Sequence, residues 1–268
     1  MTALIHSGEI SSMSRRFHMH VPRVCLILAL FATTTAANAG PPYLTDDPET
    51  PPLHRWEAVL FTMGTIADGT ATGVLPAIEF NYGGFEATQL HIKVPIGFQA
   101  GGHDETEFGG ADIELGVKYR FVEEDEQGWR PQAAVYPQLE IPTESSRNGL
   151  SSAGVDVFLP AWAQKNLDEN WTVDAGGGYW INPGSGNRNY WFSGFLLQRK
   201  LSDALVAGVE AFHQTSSTLG GRASSGFNLG AVYDFDEHNH LLLSAGRGIE
   251  NATVTDQFTW YVGYKITN

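Results

Sequence analysis

The chain has 268 residues, 42% of them apolar and 12% aromatic, with 30 glycines, one cysteine and a formal net charge of −14. That charge argues against a nucleic-acid partner, because an acidic surface repels a polyanion instead of releasing its counterions. A single thiol excludes a disulfide scaffold and a thiolate metal site.

Taken in chain order, the first element is a targeting segment. Arg15, Arg16 and Arg23 precede an apolar run, Val24 to Ala32, that leads to the small residues Ala37-Asn38-Ala39. The run is far shorter than the roughly 20 residues of a spanning helix, so residues 1–39 read as a cleaved signal peptide and the mature chain is expected to start at Gly40. Met13 gives a more ordinary start before the basic residues. Ser14-Arg15-Arg16 resembles a twin-arginine signal, but arginine pairs are common in basic leaders and export through the general route is the expectation. The lone cysteine, Cys25, lies inside this segment. Its removal takes three arginines and one glutamate and leaves 13 basic against 29 acidic residues, a net charge of −16.

Residues 40–54 form a proline-rich leader that cannot pair continuously in a sheet, because proline lacks the amide donor. It reads as either a loose leader or an ordered arm. An arm this stiff loses little entropy on docking. Its acidic trio Asp46, Asp47 and Glu49 suits a contact at the periplasmic mouth with Lys118, Arg120 or Lys265.

From residue 55 to 268 the chain alternates apolar and polar residues in segments of about ten, the period of a strand. In the clearest, Thr88, Leu90, Ile92, Val94, Ile96 and Phe98 share one face while Gln89, His91 and Lys93 share the other; from Ala111 to Phe121 the second face carries Asp112, Glu114, Lys118 and Arg120. A soluble sandwich also alternates, but it buries its aromatics mid-strand. Here Trp56, Tyr82, Tyr119, Phe121, Trp171, Tyr179, Trp180, Phe235, Phe258 and Trp260 recur near predicted strand ends, as in the two aromatic girdles of a membrane barrel. Turn signals divide the chain into about twelve strands, near 55–66, 74–83, 86–98, 109–121, 130–142, 154–165, 171–182, 189–201, 204–215, 226–235, 240–248 and 256–267. The expected fold is an all-β, antiparallel up-and-down transmembrane β-barrel. Short connections near 83–85, 166–170, 202–203 and 236–239 are expected to face the periplasm, and longer ones near 99–108, 143–153, 183–188, 216–225 and 249–255 the exterior.

Several segments are familiar as a set. GPPYLTDDPETP followed by a Trp-Glu strand, LPAIEFNYG at 75–83, the strand end Lys118-Tyr119-Arg120-Phe121, Glu140-Ile141-Pro142-Thr143 and GGGYW at 176–180 resemble the phenol-degradation meta-pathway outer-membrane family. The resemblance spans the mature chain. It implies a transporter-like, porin-like β-barrel channel, found near genes of aromatic compound catabolism, and it supplies no catalytic residues. The ending Tyr264-Lys265-Ile266-Thr267-Asn268 departs from the terminal aromatic usual in such barrels.

The strand parity nominates a pore lining: Glu79, Gln89, His91, Lys93, Asp112, Glu114, Lys118, Arg120, Glu140, Asp174, Glu210 and Lys265. Opposed acidic and basic side chains either set a field that selects small polar solutes or cross-link the strands and fill the lumen. His213 with Ser216 and His240 with Ser244 are the suggestive catalytic pairs, and neither has a third group or oxyanion donors at an arguable spacing. His238-Asn239-His240 reads as a solvated turn and Asp46-Asp47-Pro48 as an Asx-type turn, so no metal and no cofactor are expected. The leading expectation is passive passage of a small organic solute across the bacterial outer membrane. A barrel-borne lipid-modifying enzyme and a filled structural barrel are the alternatives. The expected partners are outer-membrane lipid, the barrel-assembly machinery and the solute.

Overall fold

The computed structural model describes residues 41–101, 104–125, 127–143 and 149–268, so the targeting segment and Gly40 lie outside the described residues. Fourteen strand segments follow one another: β1 Trp56–Ala67, β2 Thr70–Phe85, β3 Thr88–Gly101, β4 Asp104–Gly110, β5 Ile113–Val122, β6 Gln132–Val135, β7 Gln138–Ile141, β8 Asp156–Asn166, β9 Trp171–Ile181, β10 Tyr190–Ser202, β11 Leu205–Gln214, β12 Ser224–Asp234, β13 Asn239–Glu250 and β14 Phe258–Thr267. Both β4 and β5 pair with β3, and both β6 and β7 lie between β5 and β8. Each of these pairs is therefore one interrupted stave, and the fourteen segments make twelve. Pro137 has no amide to give the ladder where β6 stops and β7 starts, and its carbonyl instead accepts from Val117 N at 3.1 Å.

Neighbours in sequence pair antiparallel all the way round. β14 then returns to β1, from Glu57 opposite Thr267 to Ile66 opposite Phe258, and closes the barrel. The twelve staves sit where the alternation in the sequence puts them, because a period of two is only satisfied when one face meets one environment and the other face another. Three connections differ from the sequence expectation. The β1–β2 hairpin turns tightly at Asp68-Gly69, with both residues at positive φ. Residues 99–101 and 104–108, expected in a loop, instead continue β3 and begin β4. The β2–β3 turn lies at Glu86-Ala87 instead of 83–85, since Gly83 and Phe85 still pair with β3.

The outward face is apolar. Leu60 and Ile78 are each 55% exposed and Leu229 is 56% exposed, while their inward neighbours Val59 and Asn228 are almost wholly covered. Such residues recur on every side of the barrel. Soluble monomers rarely leave an apolar patch beyond a few hundred Å², so a continuous apolar belt is the surface of a protein covered by lipid. Its two edges are aromatic. On the rim that carries both the start of β1 and the end of β14, here the near rim, Trp56 stacks on Phe80 and Phe235 contacts Tyr233 and Tyr264; on the far rim Trp260 contacts Phe98 and Phe258, and Tyr179 contacts Trp191. Trp180, expected in the girdle, is a correction: it is 1% exposed and points inward.

Ile78 lies midway along β2, opposite Leu60 and Val94. Ile78→Arg is expected to cost about 2–4 kcal/mol, because a cation at the bilayer midplane loses its hydration. Leu167→Arg, in the near-rim turn between β8 and β9, is expected to assemble normally. Heat-modifiability on gels of refolded protein measures both, and equal assembly of the two variants contradicts the face assignment.

Candidate functional site in the lumen

The inward face of β3, Gln89-His91-Lys93, is set by the same alternation that sends Leu90, Ile92 and Val94 to lipid. All twelve nominated residues lie on the inward face: ten are buried, and Arg120 and Lys265 are half-buried. Most of them fall in two networks on different walls. On the first, Lys93 pairs with Glu114, whose other oxygen accepts from Gln138 at 2.6 Å and lies 3.0 Å from His91 Nε2. His91 Nδ1 meets Asn81 Oδ1 at 2.7 Å, and Asn81 in turn donates to Glu79 and Glu57 at 2.8 and 2.9 Å. Lys265 stands 3.7 Å from Glu57 at the end of this chain. On the second wall, Arg120 donates to Gln132, Gln132 to Gln164, and both Gln164 and Gln198 donate to Asp174 at 2.7 and 3.0 Å. Asp112 holds Ser151 and the backbone N–H of Ser152 from the β7–β8 connection. Glu140 lies opposite Asp156 across β7 and β8.

On three of the staves that carry the second network, nearer the far rim, is an aromatic wall. Phe158, Trp180 and Tyr190 stack in sequence on β8, β9 and the start of β10, with ring centroids 4.5 and 5.7 Å apart, and Trp162, Phe192, Phe212 and Tyr136 complete the cluster. Sequence reasoning did not nominate these residues. The available signal was parity, since Phe158 and Trp162 fall in step with Asp156 and Gln164. The outward positions Val157, Leu159 and Ala161 are also apolar, however, so alternation alone does not say which face is which.

The leader enters the lumen. Glu210 on β11 accepts from the backbone N–H of Leu44, at 3.1 Å, and of Thr45, and Ser244 on β13 donates to the carbonyl of Pro42 at 2.6 Å. Leu44 packs against the aromatic cluster. Across the lumen Asp46 accepts from Lys118 on β5 at 3.0 Å, and the same ammonium meets the Asp47 carbonyl at 2.9 Å. The leader then descends to the near rim, where His54 N donates to Gly83 O at 2.7 Å. Three inward glycines make room for it. A Cβ on Gly194 meets Thr45 Oγ1 at 2.1 Å, one on Gly208 meets the Tyr43 hydroxyl at 2.6 Å, and one on Gly230 meets the Tyr43 ring at 2.7 Å. Burial raises the Asp46 carboxyl to about 6 against the pull of Lys118, with Asp47 adding to the rise. Beside the leader a polar cavity of about 240 Å³ remains, bounded by Asp46, Glu49, Glu79, His91, Lys118 and Gln138 among others.

The suggestive catalytic pairs resolve differently. Ser216 bonds to the Thr218 carbonyl, and Ser244 holds the leader. His213 instead meets Ser225 on the outer face, Nδ1 to Oγ 2.8 Å, and Ser225 donates to Glu250 at 2.8 Å. The carboxylate thus sits on the serine and not on the second imidazole nitrogen, the wrong order for a base-activated nucleophile. His240 meets Asp234 at 2.6 Å at the start of β13, while His238 stays in the exposed turn. Among the described residues no group of three or more His, Cys, Asp or Glu side chains is arranged to hold a metal ion.

A closed twelve-stave barrel with a lipid-facing belt, two aromatic girdles and an ionic interior is an outer-membrane β-barrel. The family model described as "Putative MetA-pathway of phenol degradation" matches residues 61–266, and the chain belongs to that family. Among solved structures it is similar to a COG4313 outer membrane channel from Pseudomonas putida F1, at 16% identity and a TM-score of 0.66, covering 83% of this chain and 98% of that one. It is also similar to the NanC porin, at 5% identity and a TM-score of 0.56, and to the KdgM porin in complex with disordered oligogalacturonate, at 10% and 0.52; each covers 78% of this chain and 98% of the porin. At these identities the likeness concerns the fold. No curated protein sequence matches the chain.

The three atoms nearest a Cβ on Gly194 all belong to Thr45, so Gly194→Val fills the groove under that residue. It is expected to leave assembly intact and expel the leader. Limited proteolysis with N-terminal sequencing reads this as new cleavage between residues 41 and 53, absent from the parent protein.

Proposed function

We propose that the barrel is a passive outer-membrane channel for small organic solutes, and that residues 41–53 constrict it from the near rim, which faces the periplasm. The observation that carries this reading is how the lumen is occupied. It is not closed by its own wall side chains alone: a separate stretch of chain lies in a groove cleared by three glycines, held by two N–H bonds to Glu210 and one ion pair to Lys118. Hydrogen bonds to a charged group contribute on the order of 1.5–3 kcal/mol each, and a buried ion pair adds little net because both partners lose water. Contacts of that size can open, whereas the β1–β14 ladder has to stay.

Three further features agree. The far rim carries longer connections at 142–155, 182–189, 215–223 and 251–257 beside the tight turn at 68–69, whereas the near rim has tight turns at 86–87 and 203–204 with 123–131 as a longer connection; long connections on the exterior are the rule for such barrels. The inner aromatic wall offers ring faces to a passing organic solute, and its stacking partners are already in place. The family's description names phenol degradation and the similar P. putida structure is titled an outer membrane channel. A lipid-modifying enzyme is less well supported, since the His213–Ser225 contact near the far rim lacks the order that activates a nucleophile. Residues 1–39 act in this reading as a cleaved export signal.

Deleting residues 41–52 while keeping residues 1–40 is expected to raise single-channel conductance by a factor of roughly two or more, with a larger gain at low salt where Asp46, Asp47 and Glu49 are least screened. An assembled barrel with unchanged conductance and ion selectivity sinks the constriction.

A further inference from the structure

The docked leader presents a particular chemistry to the wall. Leu44 lies on the aromatic cluster, and two residues later the Asp46 carboxylate lies on Lys118. The two contacts share one side-chain cluster, since Lys118 Nζ stands 4.9 Å from the ring centre of Tyr136, itself a member of it. The lumen therefore contains a composite site, an ammonium beside an aromatic face, and the chain fills it with an apolar group joined to a carboxylate.

The fit is incomplete. Asp46 Oδ1 accepts from Lys118 and from the N–H of Asp47 at 2.8 Å, but Oδ2 is buried without a hydrogen-bond partner. A buried carboxylate oxygen left unpaired is costly, so the leader holds Lys118 less well than a carboxylate free to choose its own orientation. We propose that Leu44-Thr45-Asp46 is a built-in stand-in for the solute, and that the solute is a small carboxylate bearing an aromatic or apolar group, which takes Lys118 and displaces the leader. This rests on the channel reading above and adds the substrate class to it.

Charge balance supports the exchange. The surrounding wall is rich in acids, among them Glu57, Glu79 and Glu114, and adding an anion to it is unfavourable. Replacing one carboxylate on Lys118 by another leaves the charge beside Lys118 unchanged, so the exchange adds no anion to the acidic wall. A neutral or cationic relative of the same size gains the aromatic contact but cannot release Asp46. Selection is thus built into the competition, because apparent affinity is reduced by the fraction of protein whose leader is docked.

The test uses the whole exported protein, purified in detergent at pH 7.5, with sodium benzoate, benzyl alcohol and benzylammonium chloride as probes. Binding is followed by tryptophan emission and by calorimetry. Benzoate is expected to bind at least roughly tenfold more tightly than the other two, a contrast of the kind a charge-assisted contact gives. Asp46→Asn is expected to tighten benzoate by roughly three- to tenfold, by freeing the site. Lys118→Gln is expected to weaken it by roughly tenfold or more, and Lys118→Arg to keep most of it. Equal binding of benzoate and benzyl alcohol, no benzoate binding, or an Asp46→Asn variant that binds benzoate no better than the parent overturns the proposal. Swelling of liposomes carrying the same protein separates the two readings. Benzoate binding that follows the expected order in a protein that passes no solute supports the site and ends the channel reading alone.

Discussion

In hydrocarbon no water is available to an unpaired amide or carbonyl, and each one left open costs several kcal/mol, so a sheet that crosses a membrane must have no edge. The pairing of Glu57 through Ile66 with Thr267 through Phe258 meets that demand, and much else follows from it. Both termini of the barrel are brought to one rim, where Trp56 N reaches the Asn268 side chain at 2.8 Å and Asn268 N reaches the Trp56 carbonyl. The leader, which runs straight into β1, is thereby delivered to the mouth at that rim. Chain closure and lumen occupancy are consequences of one constraint.

Closure also fixes what each strand must display. Lipid outside accepts apolar residues only, so the outward positions are restricted, whereas the inward ones are free to carry charge provided that the charges find partners. Lys93 with Glu114, and Asp174 between two glutamines, are such arrangements. They tie neighbouring staves together across β3, β5 and β7 on one wall and across β8, β9 and β10 on another. In the aromatic sector the same cross-strand role falls to stacked rings, where Phe158, Trp180 and Tyr190 span three staves.

The fold was legible because the outward restriction is written at period two: twelve staves, their approximate limits and the inward parity of Gln89, His91, Lys93 and Glu114 can all be read from alternation. Where both faces are apolar the rule is silent, and this is why Phe158, Trp162 and Trp180 escaped notice as interior residues. The glycines of the leader groove escaped for a different reason. Gly194, Gly208 and Gly230 lie on three adjacent staves, with Gly208 directly opposite Gly230 and Gly194 opposite Phe212, four residues along β11 from Gly208, so only the register of β10, β11 and β12 relates them. Their neighbours in sequence give no hint of a shared groove. The leader's acids and Lys118 could be matched by charge in advance, but the choice of Lys118 over Arg120 or Lys265 depends on how far along the lumen the leader reaches.

That reach is decided by Glu210. A carboxylate at the middle of a β-barrel, 1% exposed, is expensive to bury unless its oxygens are satisfied. Asn228 supplies one bond, at 2.6 Å, and the backbone N–H groups of Leu44 and Thr45 supply the others. The dependence runs both ways. The leader is too rich in proline to satisfy its own amides in a sheet, and Glu210 has few wall donors of its own. A leader that leaves must hand Glu210 back to water, so opening requires hydration of the lumen at mid-height, and the wetting of this one carboxylate is part of the free energy that keeps the constriction in place.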